Sequence, residues 1–208
     1  MSSQGSRLLF KIARQRVMVS RIFAIVVILL ATFTATSYKE GGLIDILFET
    51  SGLFLLTICS MGRLWSLLYI SGYKKRELIT EGPYSIVRHP LYVFSLIGAI
   101  GIGVASENIL VLAALVIFYL LYYPLTILVE EKKLVDKFDQ AYLDYIKRTP
   151  RFLPKLSLYK GSVQYQVNAD VFVKKLAGGM WFIWIFIVLN LIEALQQNGY
   201  IPVLLRVP

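Results

Sequence analysis

Apolar positions along the chain gather into five runs, at residues 22–37, 43–70, 91–106, 109–129 and 176–195, separated by polar stretches. Several reach or exceed the roughly 20 residues that a helix needs to cross the hydrocarbon layer, and tolerant Thr and Tyr flanks extend the shorter ones. The pattern predicts an all-α polytopic membrane protein with about five transmembrane helices. Only Glu107 and Asn108 separate the third run from the fourth, so these two helices form a tight antiparallel hairpin. After the fourth run the pattern changes. Leu134, Phe138, Ala141, Tyr142 and Tyr145 recur at helical spacing among Lys132, Lys133, Asp136, Lys137, Gln140 and Asp144. That predicts an amphipathic helix on the membrane surface, ended by Pro150.

Composition excludes a water-soluble globule: 57% of residues are hydrophobic and 17% charged, with a mean hydropathy of +0.64. Charge then gives an orientation. Of 22 Lys and Arg, 19 fall on one side of the predicted spans; Lys39 and Arg206 fall on the other, and Arg63 lies inside the second run. The positive-inside rule places the N-terminus in the cytoplasm and the C-terminus outside. The membrane is that of a bacterial or archaeal inner membrane or a eukaryotic endomembrane. The net charge of +9 sits beside membrane spans, where anionic lipid is a better partner than nucleic acid. Cys59 has no second cysteine to pair with and reads as a small buried side chain; one Cys and one His make no metal-ligand set. Asp45, Glu49 and Arg63 are costly in lipid and should face protein or water, although Arg63 can equally snorkel to the interface.

The stretch EGPYSIVRHPLY, residues 81–92, places the chain's only histidine between two apolar runs. Gly82-Pro83 breaks the chain, and Pro90 suits the first turn of a helix, where its missing N–H is no loss. His89 and Arg88 therefore stand at a helix N-terminus, whose free N–H groups and partial positive charge welcome a carboxylate or phosphate. Taken alone, RHP fits equally a snorkelling Arg88, a capping His89 and interfacial tyrosines.

A longer pattern is more specific. LITEGPYSIVRHPLY is followed about 40 residues later by EEKKL, then by F-x-x-x-Y-x-x-Y and TPRFLP. In order and spacing this resembles the isoprenylcysteine carboxyl methyltransferase and membrane phospholipid methyltransferase family, over roughly residues 74–154. The resemblance implies one integral membrane methyltransferase domain over residues 1–208 with a cofactor-binding core at 74–154; the additional C-terminal span at 176–195, read from the apolar pattern, lies beyond the shared region. It further implies that S-adenosylmethionine binds from the cytosol beneath a helical cap and that a lipid or lipid-linked acceptor enters from the bilayer. Matched position by position, the family's cofactor contacts fall on Arg76, Glu77, Leu78 and Ile79, on Tyr84, on His89, Pro90, Leu91 and Tyr92, and on Glu130. The chemistry suits these types: His89 and the helix end for the carboxylate, Glu130 for the ammonium, Tyr84 and Tyr92 for the cation. No metal is required.

Three positions depart from the family pattern. Phe94 and Asp139 stand where Gly is common, and Thr126 stands where the carboxyl-methylating enzymes carry an acceptor-orienting Arg. A hydroxyl does not replace a bidentate guanidinium, so Arg151 or Arg63 would have to take over for a carboxylate acceptor. An amine acceptor would need a base, for which Glu131 is the nearest group. These residues make Glu131 and Arg151 candidate catalytic groups and Thr126 a candidate substrate contact. Two other classes fit parts of the pattern: a sterol-reductase-like enzyme using a nicotinamide dinucleotide, and a non-catalytic membrane protein with a degenerate pocket.

Overall fold

Residues 16–36, 42–71, 77–161 and 165–207 are described by a computed structural model of the chain. Among these residues seven α-helices follow in order: α1 Arg16–Phe33, α2 Leu43–Ile70, α3 Pro83–Ile86, α4 Pro90–Ala105, α5 Ile109–Arg148, α6 Ala169–Gly179 and α7 Trp181–Gln197. The protein is an all-α polytopic membrane protein. By length and composition α2, α5 and the α6–α7 stretch are long and apolar enough to cross a membrane, and the shorter apolar helices α1 and α4 run with them. Their outward faces carry large apolar side chains such as Phe54, Leu121 and Trp184, all more than 60% exposed, as lipid-facing helices require. The inner faces meet in a core of Val27, Leu56, Cys59, Ile102, Val111, Phe182 and Leu189.

The most extensive contact is between α2 and α4, and small residues make it close. A Cβ added at Gly52 would fall 2.4 Å from that of Ala105, and one at Gly62 would fall 2.2 Å from the Phe94 ring. Small residues let helix backbones approach where lipid offers no hydrophobic drive. Phe94 thus occupies space that α2 vacates at Gly62. The small residue of this contact lies on the neighbouring helix.

Three boundaries differ from those predicted. The fourth run and the amphipathic segment form one helix, α5, which the backbone of Asp139 interrupts (φ 42°, ψ −121°). The run at 176–195 breaks at Met180, so residues 176–179 belong to α6 and 181–195 to α7. The first run overshoots its helix, because Thr34–Thr36 leaves α1 as a strand, β1, and pairs in parallel with β2, Leu205–Val207. The Gln196 amide ties this end together by donating to the carbonyls of Ala31 and Thr32, at 3.1 and 2.8 Å. Asn108 caps α5 and donates to Thr34 Oγ1 at 2.6 Å. The α4–α5 hairpin turns over residues 106–108, as its sequence predicts.

Candidate active site

Residues 81–92 are sewn to the segment after α5. Backbone N–H groups of Arg88, Lys155 and Gly82 donate to the carbonyls of Pro150, Ile86 and Lys160 at 2.9, 2.9 and 2.7 Å. Tyr145 of α5 donates its hydroxyl to Tyr84 O at 2.7 Å. Gly82 makes the turn possible: its φ of +58° disfavours any L side chain, and a Cβ there would meet the Tyr69 ring at 2.3 Å. The paired motifs EGPYSIVRHPLY and TPRFLP are therefore the two sides of one structure.

Glu131 is the hub of that structure. Arg88 Nη1 donates to its Oε1 at 2.8 Å, and His89 Nε2 lies 3.1 Å from the same oxygen. Arg151 reaches both oxygens, Nε to Oε1 at 3.1 Å and Nη2 to Oε2 at 2.5 Å. Side-chain exposure of Arg88 and Glu131 is only 13% and 11%. In so dry a setting each charge needs the others. Glu130, one residue earlier, turns elsewhere and accepts from the Tyr92 hydroxyl at 2.9 Å.

A cavity of about 760 Å³ opens beside this hub. His89, Pro90, Leu91 and Tyr92 form the N-terminal end of α4 in its wall; Glu130, Leu134 and Phe138 come from α5, and Tyr84, Arg88, Tyr142 and Tyr145 complete that side. Pro90 is the first residue of α4, as expected, and His89 precedes it without a side-chain cap bond. Arg88 and Tyr142 interact with each other in this wall, and their Nε and Oη atoms are buried. The opposite side of the cavity comes from Ser20, Arg21, Ala24 and Ile25 of α1, Arg63 of α2, and Gly178, Trp181 and Ile185 of the α6–α7 stretch.

The structure gathers the expected cofactor residues Glu77, Leu78, Ile79, Tyr84, His89, Pro90, Leu91, Tyr92 and Glu130 around this one cavity. Arg76 lies outside the described residues. The other three candidates stand apart. Glu131 is not among the lining residues, and its carboxylate is bonded to Arg88, His89 and Arg151. Arg151 directs its guanidinium at Glu131 and is likewise not among the lining residues. Thr126 is 2% exposed and its hydroxyl points back to Tyr122 O at 3.4 Å. It is not among the residues that line the cavity. Tyr142 and Tyr145 stood in the sequence as part of an amphipathic stripe, and their role in the wall follows from the fold of α5 over the 81–92 loop.

Comparison with known proteins agrees with this architecture. A family model described as phospholipid methyltransferase matches residues 46–141. Over those residues the chain belongs to this methyltransferase family. The chain is 36% identical over 197 residues to the nickel-cobalt-cadmium resistance protein NccN of Alcaligenes xylosoxydans xylosoxydans, covering 95% of this chain and 92% of that one. It is 35% identical over 188 residues to the cobalt-zinc-cadmium resistance protein CzcN of Cupriavidus metallidurans, covering 90% and 86%. A protein-S-isoprenylcysteine O-methyltransferase B of Arabidopsis thaliana is 32% identical over 98 residues, 47% of this chain and 50% of that one. No solved structure matches the chain. The phospholipid methyltransferase match spans α2 to most of α5, so the walls supplied by α1 and α7 lie outside it.

Proposed function

We propose that the protein transfers a methyl group from S-adenosylmethionine to a lipid or lipid-linked acceptor, with its cofactor site in the 74–154 core facing the cytoplasm. The observation that carries this reading is the cavity shared by the α4 N-terminal residues and Glu130, with Tyr84, Arg88 and Tyr142 in its wall. Those groups fit the cofactor: Glu130 and Tyr92 suit an ammonium, and the α4 end with Arg88 suits a carboxylate. When bound, S-adenosylmethionine supplies an electrophilic methyl group on a sulfonium. The chain's own residues then have the tasks of alignment and of excluding water, since methyl transfer is an in-line displacement. Tyr84 and Tyr92 offer aromatic faces to the cationic centre.

Among the described residues, Lys132, Lys133, Lys137, Lys147 and Arg148 lie in the C-terminal half of α5, which also lines the cavity, and this supports a cytoplasmic opening. The relatives named for resistance to nickel, cobalt, cadmium and zinc suggest a setting. In this chain a part in metal tolerance would act through a methylated membrane component. Incubating the purified protein with methyl-labelled S-adenosylmethionine and a total membrane lipid extract tests the reading. Label in the lipid phase is expected; label that never leaves the cofactor with any lipid fraction would refute it.

A further inference from the structure

We propose that residues 152–160 seat in the membrane leaflet at the cavity end, with anionic head groups on Lys155 and Lys160, and that this contact holds the cavity wall at Tyr84 and Arg88. After Arg151 the chain runs through FLPKLSLYK with a single 3₁₀ turn, Leu156–Leu158. Its large side chains stand outward: Phe152, Leu153, Leu156 and Tyr159 are 41%, 83%, 74% and 54% exposed. Apolar groups gathered in this way mark a contact surface. Looseness does not explain them, because the backbone is pinned to the 81–92 loop. Lys155 N–H donates to Ile86 O at 2.9 Å, Gly82 N–H to Lys160 O at 2.7 Å, and Lys160 N–H to Ser85 Oγ at 2.9 Å.

Tyr159 gives the depth of the segment. Its ring lies 6.1 Å from that of Trp65 on α2, and Trp65 precedes the end of that helix at Ile70 by five residues, about 7.5 Å along the axis. With 28 residues α2 is about 42 Å long, against a hydrocarbon layer of about 30 Å. Centred on that layer, it extends about 6 Å beyond each edge, so Trp65 and Tyr159 stand where acyl chains meet head groups. Trp and Tyr favour that depth. Leu153 and Leu156 of the same short segment then meet lipid, and Lys155 and Lys160 reach the head groups. Both lysines are exposed, and basic side chains at that level draw anionic lipid. A protein partner would cover the same apolar groups, yet a segment at this depth beside a spanning helix already has lipid for a neighbour. The consequence reaches the cavity. Ser85 and Ile86, which receive the segment's bonds, lie between the lining residues Tyr84 and Arg88. Withdrawing residues 152–160 from the leaflet therefore loosens that wall.

The full chain in nanodiscs, labelled with bimane at Leu153→Cys or Leu156→Cys, tests the surface; Cys59 is buried and does not compete for the label. Lipids brominated on their acyl chains should quench both labels more strongly than aqueous iodide does. A label at Lys147→Cys, whose native side chain is 70% exposed, should show the reverse order. Stronger quenching by iodide at Leu153→Cys and Leu156→Cys, or shielding from both quenchers as a protein partner would give, would overturn the proposal. A second measurement reads the coupling and rests on the methyltransferase reading above: S-adenosylhomocysteine affinity in phosphatidylcholine discs with and without phosphatidylglycerol. Wild-type protein is expected to bind about threefold or more tighter with the anionic lipid, and Lys155→Gln combined with Lys160→Gln should remove that difference. Bromine quenching with equal affinities in the two discs would overturn the coupling to the wall. Bromine quenching with no S-adenosylhomocysteine binding in either disc would contradict the methyltransferase reading and leave the membrane seat standing.

Discussion

Neighbouring carboxylates on α5 end in opposite settings, Glu130 facing the cavity and Glu131 locked among Arg88, His89 and Arg151. The EE pair is legible in the sequence, but which member meets ligand depends on how the 81–92 and 150–160 segments close around α5. Removing the Glu131 charge leaves two guanidiniums without their counter-ion. Glu131→Gln should destabilise the protein by about 2–4 kcal/mol, the lower end reflecting the partly exposed Arg151; denaturant unfolding in detergent reads it. At the other end of the bundle Glu107 is 8% exposed and lies beside Asp45. Burial, reinforced by Asp45, Glu193 and Glu49, raises its pKa to about 7. The folded state then holds the proton more tightly than the unfolded chain, so the associated stability is complete below the ordinary carboxylate pKa and is lost as pH rises through about 7. The unfolding temperature should fall between about pH 5 and pH 8, and Glu107→Gln should flatten that slope.

At the scale of elements, the apolar runs mark the helices because period and length are local properties, whereas breaks and strands depend on partners distant in sequence. The three-residue strand Thr34–Thr36 pairs with Leu205–Val207 across most of the chain, and no three-residue window can announce that. The break at Met180 is likewise invisible in an apolar run, since Arg63 of another helix stabilises it. The departures at Phe94 and Asp139 do leave a sequence signal, and the fold gives each a meaning. Phe94 packs on Gly62, so Gly62→Val should cost about 1–3 kcal/mol through overpacking, and Phe94→Ala introduced with it should recover part of the loss. A double-mutant cycle by thermal unfolding measures the coupling. Asp139 holds φ at +42° inside α5, a conformation that glycine adopts without steric cost. Asp139→Gly should therefore stabilise the protein by about 1 kcal/mol, read by the same assay.

Across the whole molecule, α4 leaves the basic end, α5 returns to it, and the return brings His89 and Glu130 to one cavity although 41 positions separate them. That juxtaposition is legible from the hairpin and the two motifs. The far wall is not, because α1 and α7 share no motif with the core and meet the cavity only through packing. The central claim is that this cavity binds S-adenosylmethionine through the α4 end and Glu130. Isothermal titration of S-adenosylmethionine into wild-type protein and into Glu130→Gln, which keeps a hydrogen-bond acceptor for Tyr92 but removes the charge, tests it most directly. Saturable binding by wild type, weakened about tenfold or more in Glu130→Gln with an unchanged unfolding temperature, is the expected result. Equal affinity in the two proteins, or no binding by a folded wild type, would contradict it.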